Sequence, residues 1–141
     1  MKFYYKTKGF KLQKPDRYRK WIKEIARLHQ KQTGDLHYIF TDDAEITRIN
    51  VQYLQHDYAT DIITFDYTED NRIAGEIYIS LDNLRSNAES LNIPFEEELL
   101  RVMAHGILHL CGFKDKSEEE QKKMREEEEK MIKMFDTLIA T

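Results

Sequence analysis

A chain of 141 residues, 40% apolar and 34% charged, can form one domain with a real core, and it contains no run of about eighteen apolar residues that could span a membrane. Its lone cysteine, Cys111, excludes an internal disulfide framework, and its first residues lack the apolar run of about seven that a signal peptide needs. The net charge of −4 is divided unevenly: residues 1–33 hold eleven Lys or Arg against Asp16 and Glu24, a net of +9, and the remainder holds −13.

A single cytoplasmic domain over residues 1–141 is therefore expected. A short strand is predicted at residues 3–5, followed by a helix that opens near Pro15 and runs to about Gln32, with Gly34 as its stop. Trp21, Ile25 and Leu28, flanked by Ile22 and His29, form its apolar stripe. Lys20, Lys23, Arg27 and Lys31 occupy the remaining surface and are candidates for RNA binding; the plainer alternative is a solvated lysine-rich face. Residues 36–40 read as a strand. Asp42-x-x-Glu45 resembles a capping box for a helix that turns Ile46, Ile49 and Tyr53 inward.

After a loop at residues 55–59, two β-branched and aromatic runs read as strands: Asp61-Ile62-Ile63-Thr64-Phe65 and Gly75-Glu76-Ile77-Tyr78-Ile79. Leu84, Ala88 and Leu91 mark a short helix after Ser80. A longer helix opens at Pro94 with Glu96, Glu97 and Glu98 in its first turn and stops at Gly112. Ser117-x-x-Glu120 is a capping box for a final helix with Met124, Met131, Met134 or Phe135, and Leu138 facing inward. The run of glutamates at 126–129 reads as its solvated side, paired in part with Lys122, Lys123, Lys130 and Lys133.

The helix from Pro94 carries the chemistry. At about 100° per residue, His105 and His109 lie within about 40° of each other and one turn apart, so both imidazoles can reach one ion. Gly112 in a left-handed conformation would turn the chain back and bring up a carboxylate, with Asp115 the best-placed candidate. Two histidines and a carboxylate with an open fourth position are the donor set of a hydrolytic zinc site, in which the metal makes its water acidic enough to be the nucleophile at neutral pH. The pair alone is weak evidence, since buried histidines with ordinary hydrogen bonds also occur at this spacing. Gly106 stands where H-E-x-x-H peptidases carry their glutamate base, so a standard peptidase mechanism lacks its base. A glycine there is expected to leave open space beside the metal, suited to a ribose phosphate. Cys111, about 160° from His109 around the helix, reads as a core residue.

The segment His105-Gly106-Ile107-Leu108-His109-Leu110-Cys111-Gly112-Phe113 resembles the H-G-x-L-H-L-x-G-[FY] signature of the YbeY family of metal-dependent endoribonucleases. Asn50-x-x-Tyr53, Asp57 and Thr60-Asp61-Ile62-Ile63-Thr64-Phe65 resemble its N-x-x-Y-R-G-x-D-x-P-T-D-V-L-S-F block, and Gly75-Glu76-Ile77-Tyr78-Ile79-Ser80 its G-D-I-x-I-S strand. The family signature continues D-H, the histidine being the third ligand; Lys114-Asp115 stands here, so Asp115 falls on the ligand position. Leu54 replaces the family arginine of Y-R-G and Ala59 its proline, and that arginine's role does not carry over. His56 in the same loop, or Arg101 one turn before His105, is a candidate catalytic group; a merely exposed loop histidine and an ion pair of Arg101 with Glu97 or Glu98 are the alternatives.

The resemblance implies a single-strand-specific endoribonuclease that acts on ribosomal RNA, particularly the 3′ end of the small-subunit RNA, and in ribosome quality control. Its cofactor would be one zinc ion, and its partners ribosomal RNA and the small ribosomal subunit. Tyr53, Tyr58 or Tyr67 could stack on unpaired bases. Two other readings stand beside this one: a metal hydrolase of another substrate class, and a non-enzymatic RNA-binding assembly factor whose metal is structural. The expected fold is α/β (α+β, zincin-like), a mixed or mostly antiparallel sheet of about four strands packed by helices, with the histidine helix lining a metal cleft.

Overall fold

Phe3 and Tyr5 project to one side of β1 (Lys2–Tyr5) and meet Tyr38 and Phe40 of β2 (Gln32–Thr41), the Tyr5 and Phe40 rings stacking at 5.7 Å, so the two strands run parallel in register. The computed structural model describes residues 1–54 and 61–140. β3 (Ile62–Asp66) and β4 (Arg72–Ser80) complete a four-stranded sheet in the order β1-β2-β4-β3. β4 is parallel to β2, and only β3 runs antiparallel. The mixed sheet and the α+β class are as expected.

α1 (Pro15–Leu28) buries Trp21, Ile22 and Ile25 completely but ends four residues before Gln32. Its stop is Gln30 and not Gly34. Gln30 takes the left-handed conformation at φ 61°, and the Lys31 N–H closes on the Ala26 carbonyl at 2.8 Å, a Schellman turn that returns the chain to the sheet. Leu28, in the last turn, is consequently 47% exposed and not part of the core stripe. Gly34 lies within β2, where a Cβ would meet the Ile73 carbonyl oxygen at 3.0 Å.

Asp42 accepts from the Glu45 N–H at 2.9 Å and caps α2 (Asp43–Ile49), whose Ile46 and Ile49 pack on Ile63 as a second, smaller cluster. A π-helical turn, Asn50–Leu54, follows. Its wider winding breaks the 3.6-residue phase, so Tyr53 is 61% exposed instead of facing inward. α3 (Leu81–Leu91) is capped by Ser80 and closed by left-handed Asn92; Leu84 and Ala88 are buried, whereas Leu91 at the frayed end is exposed.

α4 (Phe95–Leu110) is the central helix, touching α1, α3, α5, β3 and β4. Leu99, Met103, Ile107 and Leu110 are buried in the main core. Gly106 is buried with them, against the expectation of open space beside a metal: a Cβ there would lie 3.0 Å from Ile77 Cγ2 and 3.2 Å from Ile62 Cδ1. Its lack of a side chain allows the helix to approach the sheet, and a glutamate could not be housed there. The Ser117/Glu120 capping box forms reciprocally, at 3.1 and 3.0 Å, and opens α5 (Glu118–Ala140), which seats Met124, Met131 and Phe135 in the core. No helix among the described residues is long and apolar enough to cross a membrane.

Candidate functional site

α4, α5, the segment between them and the start of β3 line an open cavity of about 780 Å³. His105, His109 and Asp115 all line it, so the three residues singled out from the sequence do share one space. Gly112 at φ 108° makes the turn that returns Asp115 to the helix, with the Phe113 N–H closing on the Leu108 carbonyl at 3.0 Å. Asp115 Oδ2 then stands 3.2 Å from His105 Nε2. The two histidine rings lie parallel, 5° apart in plane, with centroids at 6.5 Å.

His105 is held from behind. Its Nδ1–H donates to Glu128 Oε2 at 2.7 Å, which in the neutral imidazole leaves Nε2 with the free lone pair facing Asp115 and the cavity. Glu128 is only 4% exposed, although the glutamate run was expected to be solvated. The phase of α5 explains the difference: Met124, Glu128, Met131 and Phe135 fall at i, i+4, i+7 and i+11, so Glu128 sits in the apolar stripe. Its neighbours are also engaged. Glu127 pairs with His29 Nε2 at 2.7 Å and Glu129 with Arg101 at 2.7 Å, so three successive glutamates each hold a different residue of α4 or the end of α1.

Burial opposes charging of His105, but the hydrogen bond to Glu128 and the nearby Asp115 and Asp61 carboxylates outweigh it and raise its pKa. Burial raises the pKa of the Glu98 carboxyl, despite the Arg101 guanidinium beside it. Glu128→Gln, which keeps the shape but removes the anionic acceptor, is expected to lower divalent-metal affinity about 10- to 100-fold, read by titration with a zinc-sensitive dye. Unchanged affinity would show that Glu128 does not orient a ligand.

The donor set suits a divalent cation such as zinc. The 3.2 Å between His105 Nε2 and Asp115 Oδ2 is close to the roughly 3.3 Å edge of a tetrahedron built on bonds of about 2.0–2.1 Å. Among the described residues no three His, Cys, Asp or Glu side chains close to holding distance.

The sequence profile described as "Endoribonuclease YbeY" matches residues 3–136. The chain belongs to the YbeY endoribonuclease family. Curated relatives named "Endoribonuclease YbeY" include one from Phocaeicola vulgatus, 50% identical over 135 residues and covering 93% of this chain and 96% of the relative. Another, from Parabacteroides distasonis, is 56% identical over 104 residues, 74% of this chain and 73% of its own. The solution structure of a Thermotoga maritima protein matches with a TM-score of 0.68 at 31% identity, over 96% of this chain and 89% of that one. The YbeY signature helix is α4, and the turn after it carries Asp115.

The remaining candidates are distributed differently. Arg101 lines the cavity but is committed to acidic partners, with Nε 3.3 Å from Glu98 and Nη1 2.7 Å from Glu129. The ion pair with Glu98 is thus the reading the geometry favours. None of Lys20, Lys23, Arg27 or Lys31 lines the cavity, and Arg27 is paired with Glu24 on its own helix. His56 and Tyr58 lie outside the described residues. Exposed Tyr53 meets Phe65 edge-on, and the Tyr67 hydroxyl donates to Glu76 at 3.1 Å. Cys111 packs against the core, and burial pushes its thiol up to about 11, well away from the thiolate a metal would need.

Proposed function

We propose that this YbeY-family chain is a zinc-dependent, single-strand-specific endoribonuclease that matures ribosomal RNA in the cytoplasm, at the 3′ end of the small-subunit RNA, and serves ribosome quality control. His105, His109 and Asp115 would hold the ion, and the small ribosomal subunit would be the partner that presents the substrate. The observation that carries this reading is the shared cavity of the three donors, with His105 fixed by a buried carboxylate.

When bound, zinc would supply Lewis-acid stabilisation of charge at the phosphorus and activate water for attack. The residues of the chain do the positioning. Glu128 fixes the His105 ring and tautomer, and the Gly112 turn places Asp115 against Nε2. Glu98 and Glu129 restrain Arg101 at the wall of the cavity. Position 106 faces the sheet, so no peptidase-type base stands next to the first histidine.

The test is metal analysis combined with cleavage of single-stranded ribosomal RNA. Chelation should abolish cleavage and zinc should restore it, while His105→Ala and Asp115→Ala should each lose bound metal. Metal content unchanged in both variants would overturn the ligand assignment. A zinc-loaded wild type that binds RNA without cutting it would replace the enzyme with an assembly factor.

A further inference from the structure

An enzyme that cuts RNA must hold a phosphodiester against its own carboxylates, and among the described residues this cavity shows four: Asp61, Glu98, Asp115 and Glu128. Of the cations that line it, Arg101 is already engaged by Glu98 and Glu129. The other two among the described residues are Lys116, directly after Asp115, and Arg125, one turn before Glu128 on α5. Both are exposed at the rim, and neither side chain forms an ion pair among the described residues.

We propose that Arg125, with Lys116, holds the phosphate of the single-stranded RNA substrate over the histidine pair; this rests on the endoribonuclease reading above. The two cations line the same cavity from different segments, the loop before α5 and α5 itself, and would engage one phosphate as a fork and a point charge. Arg101 cannot take this part without leaving Glu98 buried and uncompensated. The basic residues of α1 are more numerous, but none of them lines the cavity.

The experiment measures binding of a single-stranded oligouridylate in chelated buffer across a salt series, and kcat and KM for single-stranded ribosomal RNA with zinc restored. Arg125→Gln and Lys116→Gln should each reduce the slope of log affinity against log salt, and the double variant should reduce it by about 0.7, as expected for one lost phosphate contact to a single strand. Each should lower kcat/KM about tenfold, chiefly through KM, with metal content and thermal unfolding unchanged. Arg125→Lys should recover the salt slope but only part of the KM, because it restores charge without the fork. Wild-type slope and KM in both glutamine variants would overturn the proposal and leave the endoribonuclease reading intact. So would a slope that falls in Lys20→Gln or Lys23→Gln while Arg125→Gln behaves as wild type. A wild type that neither binds nor cuts the RNA would remove the endoribonuclease reading and this proposal with it.

Discussion

His109→Ala is expected to reduce RNA cleavage on the order of a thousandfold or more while the fold is retained. A metal positioned at developing phosphoryl charge is worth several kcal/mol, and about 4 kcal/mol corresponds to a factor of a thousand in rate. His109 is exposed at the cavity, so the substitution leaves no hole in the core. Far-UV circular dichroism and the melting temperature should therefore stay close to wild type while bound metal falls. Cleavage equal to wild type would mean that the activity does not pass through this histidine, and a folded variant with full metal content would remove it from the ligand set.

The second large effect concerns stability. Trp21 on α1 is fully buried; its Nε1–H donates to the Met131 carbonyl at 2.8 Å and its ring meets Phe135 edge-on at 5.3 Å. It is the wedge between α1 and α5. Trp21→Ala should cost about 3–5 kcal/mol, a cavity that the surrounding side chains only partly fill, and lower the melting temperature by roughly 10–20 °C. Urea denaturation of the two proteins measures the difference directly. A loss below about 1 kcal/mol would mean that the helices close up without the indole. Because α5 carries Glu128, the variant should also lose metal affinity although no residue of the site has changed.

The histidine pair was legible because helical spacing fixes which side chains share a face, and the Gly112 turn because a left-handed residue there favours glycine. Both caps read from Asp42 and from Ser117 with Glu120 are present for the same local reason. What depended on distant neighbours was not legible. Gln30 ends α1 without the usual glycine, so its stop carries no sequence signal. Gly106 is small because of Ile77 and Ile62, residues remote along the chain. Glu128 was hidden inside a run of four glutamates, yet the stripe from Met124 to Phe135 already passed through it. A carboxylate in phase with core methionines was the available signal.

The three glutamates at 127, 128 and 129 reach His29, His105 and Arg101 in turn, so the last helix is latched to the end of α1 and to α4 by neighbouring residues. Chemical competence is thereby tied to helix docking. A chain in which α5 is displaced from α4 lacks the Glu128 carboxylate that orients His105.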